Sequence, residues 1–298
     1  MAAFVRGRSV SIAAVVAAGL LMGPIAEPRI GALGAVAVAV AEPAHGISTA
    51  PRLASVDNFR DVAGPGDGYP LASGQRMRKG VLYRSNALRP DDTDMATLTS
   101  LNLTHDYDLR TIAEIADSPD ILPPGTTYVH INIIGDQNPI PTMTDLSVPR
   151  ARQLLIDQYK VFVDDADERE RFGELFRSIA ANLDPQVYHC TSGKDRTGWA
   201  SAVLQTLAGV SSDDVMSDYL LTNEYSQKSI DAGAAAATAV YGPEAGAGTR
   251  VMLGVFPEAL QASLDEVHAR YGTMERYLTD GVGLDAATIA ELKSTLIA

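Results

Sequence analysis

The sequence predicts an α/β fold: a mainly parallel central sheet flanked by helices, with a helical C-terminal part that is a candidate lid. Three observations predict it. As far as Gly209, short apolar runs rich in β-branched residues alternate with longer amphipathic stretches. Such alternation sets strands side by side through helical crossovers. Beyond Gly209 the strand-like runs stop and helical patterning continues to the end. At the junction "QVYHC" passes through a short glycine-containing loop into "RTGWASAVLQTLAGV", a strand–loop–helix unit.

In chain order, "MAAFVRGRSV" carries Arg6 and Arg8 ahead of the apolar "SIAAVVAAGLLMGPIA", and "GALGAVAVAVAEP" sets Ala39 and Ala41 at the −3 and −1 positions of a cleavage point. A basic start, an apolar stretch and small residues before the cut describe an export signal over residues 1–41. A retained anchor fits less well, because Gly23-Pro24 breaks the run short of the ~20 residues that a spanning helix needs. Residues 42–52 read as a Pro/Ala/Ser linker and 53–298 as a single domain, of which about 211–270 is helical. The expected location is outside the cytoplasm, secreted or in the cell envelope, with no stable membrane insertion after cleavage.

Within the domain, "LASVDNFRDVAG" is a short strand entering a turn, and "GPGDGYP" is a turn, since no helix pattern follows it. "GVLYRSNAL", "THDYDLR", "TTYVHINII" and "QVYHC" are strands. "RPDDTDMATLTSLNL" is a helix entered through aspartates, "AEIADSP" is a short helix stopped by Pro119, and two helices cover roughly 147–163 and 166–182. After Gly209 come "SSDDVMSDYLLTNEYSQ", a helix at about 255–271, and "LDAATIAELKSTLI" behind an aspartate cap. The intervening "IDAGAAAATAVYGPEAGAGTR" reads either as a weakly held helix or as a mobile loop. Its alanines favour helix, and Gly233, Gly242, Gly246 and Gly248 offer hinges.

Charge narrows the partners. Against 24 Lys and Arg stand 37 Asp and Glu, a formal net charge of −13. Such a surface repels nucleic acid and anionic membranes at long range, so an anionic ligand must be drawn in by a local site. The single cysteine, Cys190, permits no intramolecular disulfide, although an exported location would allow them. A lone exported thiol is a hazard unless it is buried or used.

It lies in "HCTSGKDRTG", residues 189–198. A strand, a tight loop and a helix aim backbone N–H groups at an anion, and Gly193 and Gly198 let the backbone come close. At the end of the strand, Cys190 faces a helix N-terminus and Arg196, both of which favour thiolate. The C-x5-R spacing lets the planar fork of Arg196 fold back onto an oxyanion that Cys190 attacks. The resulting chemistry is phosphoryl transfer to cysteine and then hydrolysis. A nucleotide loop would need Gly-Lys-Ser/Thr, and this one has Gly-Lys-Asp. A Cys–His pair fails locally, because adjacent residues on a strand point to opposite faces. One cysteine and five scattered histidines show no metal-ligand spacing, and no cofactor is called for. An anion-binding module without turnover remains the alternative from another functional class. Asp136, just past the strand 127–134, is a candidate general acid, at the sheet edge where parallel α/β folds bind ligands.

"HCTSGKDRTG" resembles the signature of the bacterial cysteine-dependent tyrosine and lipid phosphatases. "NFRDVAG" (58–64), "YRSNAL" (83–88), "DLRT" (108–111), "DYLLTN" (218–223) and "YGTMERYLTDGVGL" (271–284) match that family's pattern in order. Ser192 stands where the family usually has alanine. The resemblance implies a cysteine-phosphatase-like fold and a phosphorylated protein or phosphoinositide as substrate, with inositol polyphosphates as a further reading. It makes Cys190 the nucleophile and Arg196 the phosphate clamp, with the backbone from Thr191 through Ser192, Gly193 and Lys194 to Arg196 lining the cradle. Thr197 bonds the sulfur, and His189 supports the loop. It adds Asp195 to Asp136 as a candidate general acid, and Lys194 as a second cation that reads additional phosphates. Arg60 with Asp61, and Asp108 with Arg110, are expected as bracing ion pairs.

Overall fold

The computed structural model describes residues 51–136 and 146–298. The expected leader, and the linker up to residue 50, lie outside the described residues. Five strands form one sheet in the order β1-β2-β5-β3-β4: Arg60–Asp61 (β1), Leu82–Ser85 (β2), His105–Asp108 (β3), Thr127–His130 (β4) and Gln186–His189 (β5). Only the β1–β2 pair is antiparallel. The expected mainly parallel sheet is therefore present.

The register brings polar residues of three strands to one edge. Ser85 of β2 and Asp108 of β3 both align with His189 of β5. These parallel strands thus end together on buried polar residues, at the C-terminal edge where α/β sheets carry their sites. β4 is an exposed edge strand and ends at His130. Ile131 donates once more to the Asp108 carbonyl (2.8 Å).

Local capping chemistry starts most helices. Asp91 accepts from Asp94 N–H at 2.9 Å to begin α1, Asp92–Ser100. Thr111 and Glu114 form a reciprocal capping box on α2, Ile112–Asp117. Asp165 closes α3, Val148–Asp164, and caps α4, Ala166–Ala180, by accepting from Asp167 and Glu168 N–H at 3.0 Å. α5, Arg196–Ala208, is buried nearly all round and ends at Gly209 with φ +94°. A helix apolar on every face belongs in the middle of a domain. Trp199 at its heart is fully buried and meets Tyr277 edge-on.

The C-terminal part is helical, as expected: α6 Ser212–Leu220, α7 Thr222–Tyr225, α8 Gln227–Tyr241, α9 Pro243–Leu253, α10 Pro257–Tyr271, α11 Met274–Arg276, a π-type turn Tyr277–Gly281, and α12 Ala286–Leu296. Among the described residues no helix is long and apolar enough to cross a membrane.

The alanine- and glycine-rich segment is neither a single weak helix nor a loop. It forms α8 and α9, turning at Gly242 with φ +91°. The other three glycines are packing positions rather than hinges. A Cβ on Gly246 would lie 1.8 Å from Thr238 Oγ1, one on Gly248 1.8 Å from the Leu146 carbonyl oxygen, and one on Gly233 2.3 Å from Leu253 Cδ1. Glycine here lets helices touch through their backbones.

Candidate active site

Between β5 and α5 the loop Cys190–Asp195 is held by its carbonyls. Asn58 Nδ2 donates to the Gly193 carbonyl at 2.7 Å, and Arg84 Nη2 donates to the same oxygen at 2.8 Å. Ala87 N–H donates to Thr191 O (3.3 Å), and Tyr159 Oη to Lys194 O (3.4 Å). With its carbonyls turned into the scaffold, the loop leaves its N–H groups on the other side. Among the described residues nothing accepts from the N–H groups of Thr191 to Asp195. A row of unpaired N–H groups ending at a helix N-terminus is an oxyanion cradle. Gly193 is required twice over: its φ is +64°, and a Cβ would lie 2.2 Å from the Ser85 carbonyl oxygen.

Cys190 is buried. Burial opposes ionisation of its thiol, but the Arg196 guanidinium, with the hydroxyl and N–H of Thr197, outweighs it and holds the thiol below its ordinary value. The buried Thr197 hydroxyl has no conventional hydrogen-bond partner among the described residues, which leaves it for the sulfur.

Arg196 is gripped by Glu114. Its Nη1 donates to Glu114 Oε2 at 2.8 Å and to the Leu109 carbonyl at 3.1 Å, and its Nη2 donates to Glu114 Oε1 at 2.7 Å. Glu114 also accepts from Thr111 N–H (2.9 Å) and from the Thr191 hydroxyl. Burial pushes this carboxyl up, yet Arg196 holds it well below the usual carboxylate range. The guanidinium is thereby fixed on one side, and among the described residues nothing accepts from its remaining N–H groups. Sequence reading missed Glu114. The only signal was the T-x-x-E capping pattern of "TIAE", which announces a helix start rather than an arginine clamp.

Beneath the loop, Arg60 and Arg84 converge on Asp218 at 3.2 and 3.4 Å, all three buried. Burial lowers the Arg84 guanidinium to about 10, and the two arginines hold the buried Asp218 carboxyl below its ordinary value. This corrects one expected pair: Arg60 binds Asp218, while Asp61 binds Lys79 at 3.3 Å. The Asp108–Arg110 pair is present at 2.8 Å.

The candidate acids are placed differently. Asp195 is in the loop, and its carboxylate meets Lys194 Nζ at 3.0 Å. Asp136 is exposed at the start of α2, where it accepts from Ile112 N–H (3.1 Å) and Asn132 Nδ2 (2.9 Å). Lys194 is buried, and its ammonium also donates to Gly254 O at 3.1 Å, just past α9. It joins the loop to the end of the α8–α9 pair rather than projecting into solvent. Glu168 on α4 is a further group that the sequence did not single out. It is buried, with one carboxylate oxygen unpartnered among the described residues, and lies within electrostatic reach of Arg196. Burial and Asp165 push its carboxyl up to about 7. A cavity of about 630 Å³ touches Arg60 and Asp218 but no residue of the loop, so it is not the catalytic cleft.

Similarity to known proteins agrees with this geometry. The tyrosine phosphatase family profile matches residues 51–298. The chain is 31% identical over 218 residues to a tyrosine-protein phosphatase of Nostoc commune, covering 70% of this chain and 71% of that one. It is 27% identical over 282 residues to the triple specificity protein phosphatase PtpB of Mycobacterium tuberculosis, covering 80% and 96%. With a cysteine, an arginine fork and an N–H cradle assembled at one strand end, the chain belongs to the tyrosine phosphatase family and is a phosphoric monoester hydrolase.

Proposed function

We propose that the protein is an exported phosphatase that hydrolyses phosphotyrosine through a cysteinyl-phosphate intermediate. One observation carries the reading: the only thiol lies buried against Arg196 and Thr197, which favour its thiolate, at the mouth of a loop whose N–H groups are unpaired among the described residues. The phosphoryl oxygens occupy the cradle and the free edge of Arg196. Cys190 Sγ attacks phosphorus, the P–O bond to the leaving group breaks, and an acid protonates the departing oxygen. Water, giving a proton to the carboxylate left by the acid, then attacks phosphorus and the S–P bond breaks, releasing phosphate and regenerating the thiolate, with Thr197 steadying the sulfur as it leaves.

We assign the acid to Asp195, which shares the loop with the nucleophile, while Asp136 serves as an acceptor at the start of α2. The substrate range extends to phosphoserine, phosphothreonine and phosphoinositides. For the last of these, Lys194 is the group to read extra phosphates, and it must leave Asp195 and Gly254 to do so. The α8–α9 pair is the lid: Ser229 of α8 bonds Asp57, beside the Asn58 that holds the loop, and Gly254 after α9 bonds Lys194. Export rests on the leader pattern of residues 1–41.

The test is turnover of a phosphotyrosine peptide without added metal, with rapid acid quench and phosphopeptide mapping. Wild-type enzyme should yield phosphocysteine at residue 190, and Cys190→Ser should bind phosphate without turnover. Phosphate trapped on any other residue contradicts the mechanism.

A further inference from the structure

We propose that Asp106, Asp120 and His189 form a binding site for a divalent cation of the Zn²⁺ class, on the face of β5 opposite Cys190. His189 Nε2 lies 3.3 Å from Asp106 Oδ1 and 3.4 Å from Asp120 Oδ2, and the three donor atoms are within 4.8 Å of one another. Asp106 and His189 are fully buried, and the Asp120 side chain is 4% exposed. Both oxygens of Asp106 and the Nε2 of His189 have no hydrogen-bond partner among the described residues. Two buried side chains thus bring ligand atoms that lack a well-formed hydrogen bond close together, which a folded interior ordinarily avoids.

The spacing favours a cation over a set of hydrogen bonds. A charge-assisted N–H···O bond closes to about 2.7–2.9 Å. Two ligands on a tetrahedron with metal–ligand arms of about 2.0–2.1 Å stand roughly 3.3–3.4 Å apart, and both separations from His189 Nε2 to the carboxylates match it. The second nitrogen agrees: His189 Nδ1 lies 3.4 Å from the Cys190 carbonyl oxygen. Metal-bound histidines typically donate their other N–H to such an acceptor, which fixes the tautomer with Nε2 free.

Charge points to a divalent ion. Three carboxylates, Asp106, Asp108 and Asp120, surround this point, and one guanidinium, Arg110, bonds Asp108 at 2.8 Å and Asp120 at 2.5 Å. Tyr128 adds only a neutral hydroxyl, donated to Asp108 at 2.9 Å. With a neutral imidazole two negative charges remain, which a divalent cation cancels. One imidazole and two carboxylates suit Zn²⁺ and its neighbours better than Ca²⁺ or Mg²⁺. Asp120 Oδ2 is shared between the cation and Arg110, while its Oδ1 accepts from Leu88 N–H at 2.8 Å. Sequence spacing conceals the set, because one member comes from β3, one from the stretch after α2, and one from β5.

The test uses the full chain with Cys190→Ser, which removes the one competing thiolate. Chelator-stripped protein is titrated with Zn²⁺ by calorimetry and with Co²⁺ by visible absorption, and its thermal midpoint is followed. One equivalent should bind and raise the midpoint. Adding Asp106→Asn should abolish binding, and adding the less buried Asp120→Asn should weaken it roughly tenfold or more. A Cys190→Ser chain that takes up no Zn²⁺ overturns the proposal, and so does binding that survives both carboxamide variants unchanged. The missing positive charges would then be protons. If Asp106→Asn fails to fold, the Asp120→Asn titration decides.

Discussion

Two buried charge clusters flank the end of β5, on opposite faces of the sheet, and they are balanced in opposite senses. On the Cys190 face, Arg60 and Arg84 meet a single carboxylate, Asp218, and Arg84 reaches the loop through the Gly193 carbonyl. On the His189 face, three carboxylates meet one guanidinium. The first cluster leaves a positive surplus under an anion cradle, where a thiolate and a phosphate complete the balance. The second leaves a negative surplus with unpartnered atoms. The fold therefore polarises one strand end, and a site that must hold a dianion is built on the cationic side.

Breaking the better-satisfied cluster should have the largest effect. Asp218→Ala strands two buried guanidinium groups and should lower stability by about 3–5 kcal/mol, read from urea midpoints. In metal-free protein, Asp106→Asn should lose distinctly less, because among the described residues its oxygens have no hydrogen-bond partner. Equal losses would erase the contrast between the two faces.

Glu168 sharpens the contrast through pH. Its folded carboxyl is raised to about 7 from an ordinary 4.5, so the folded chain binds more protons than the unfolded one between those values. Stability should therefore fall as pH rises from about 4.5 to 7 and level off above, by up to about 3 kcal/mol. Glu168→Gln should remove that fall and be the more stable protein at pH 8. Parallel stability profiles for the two proteins would show that the carboxyl is not raised.

Two smaller effects concern the loop. Gly193→Ala forces a Cβ into left-handed backbone and into Ser85, which shifts the cradle. A displacement of about 1 Å at a reacting centre costs roughly 100-fold in kcat. Glu114→Gln keeps the shape of the clamp but removes its charge, so kcat/KM should fall roughly tenfold, the equivalent of one charge-assisted hydrogen bond. Steady-state kinetics on a phosphotyrosine peptide read both. Unchanged kcat/KM in Glu114→Gln would mean that Arg196 needs no carboxylate to hold it.

Much of the molecule was legible where the chemistry is local. "QVYHC" followed by "TSGKDRTG" announces strand, loop and helix, and Cys190, Arg196, Gly193 and Thr197 stand together because they are neighbours in the chain. Partners chosen across the fold were not legible. Arg60 looked like the partner of adjacent Asp61, but on a strand neighbours face opposite ways, and a residue on α6 reached Arg60 instead. Glu114 meets Arg196, and Asp106 meets His189, only once β3 and β5 lie in register. The glycines of 233–248 showed composition without context. Whether a glycine is a hinge or a contact depends on which helix packs on it.

The central claim is that Arg196 and Thr197 hold Cys190 as a thiolate. Because the chain has one cysteine, alkylation by iodoacetamide reports that residue alone, and its rate against pH gives the thiol's midpoint. The expected midpoint lies below the ~8.5 of a free cysteine, and it should rise when Arg196→Ala removes the neighbouring charge. A midpoint at or above the free value, unmoved by Arg196→Ala, would contradict the claim.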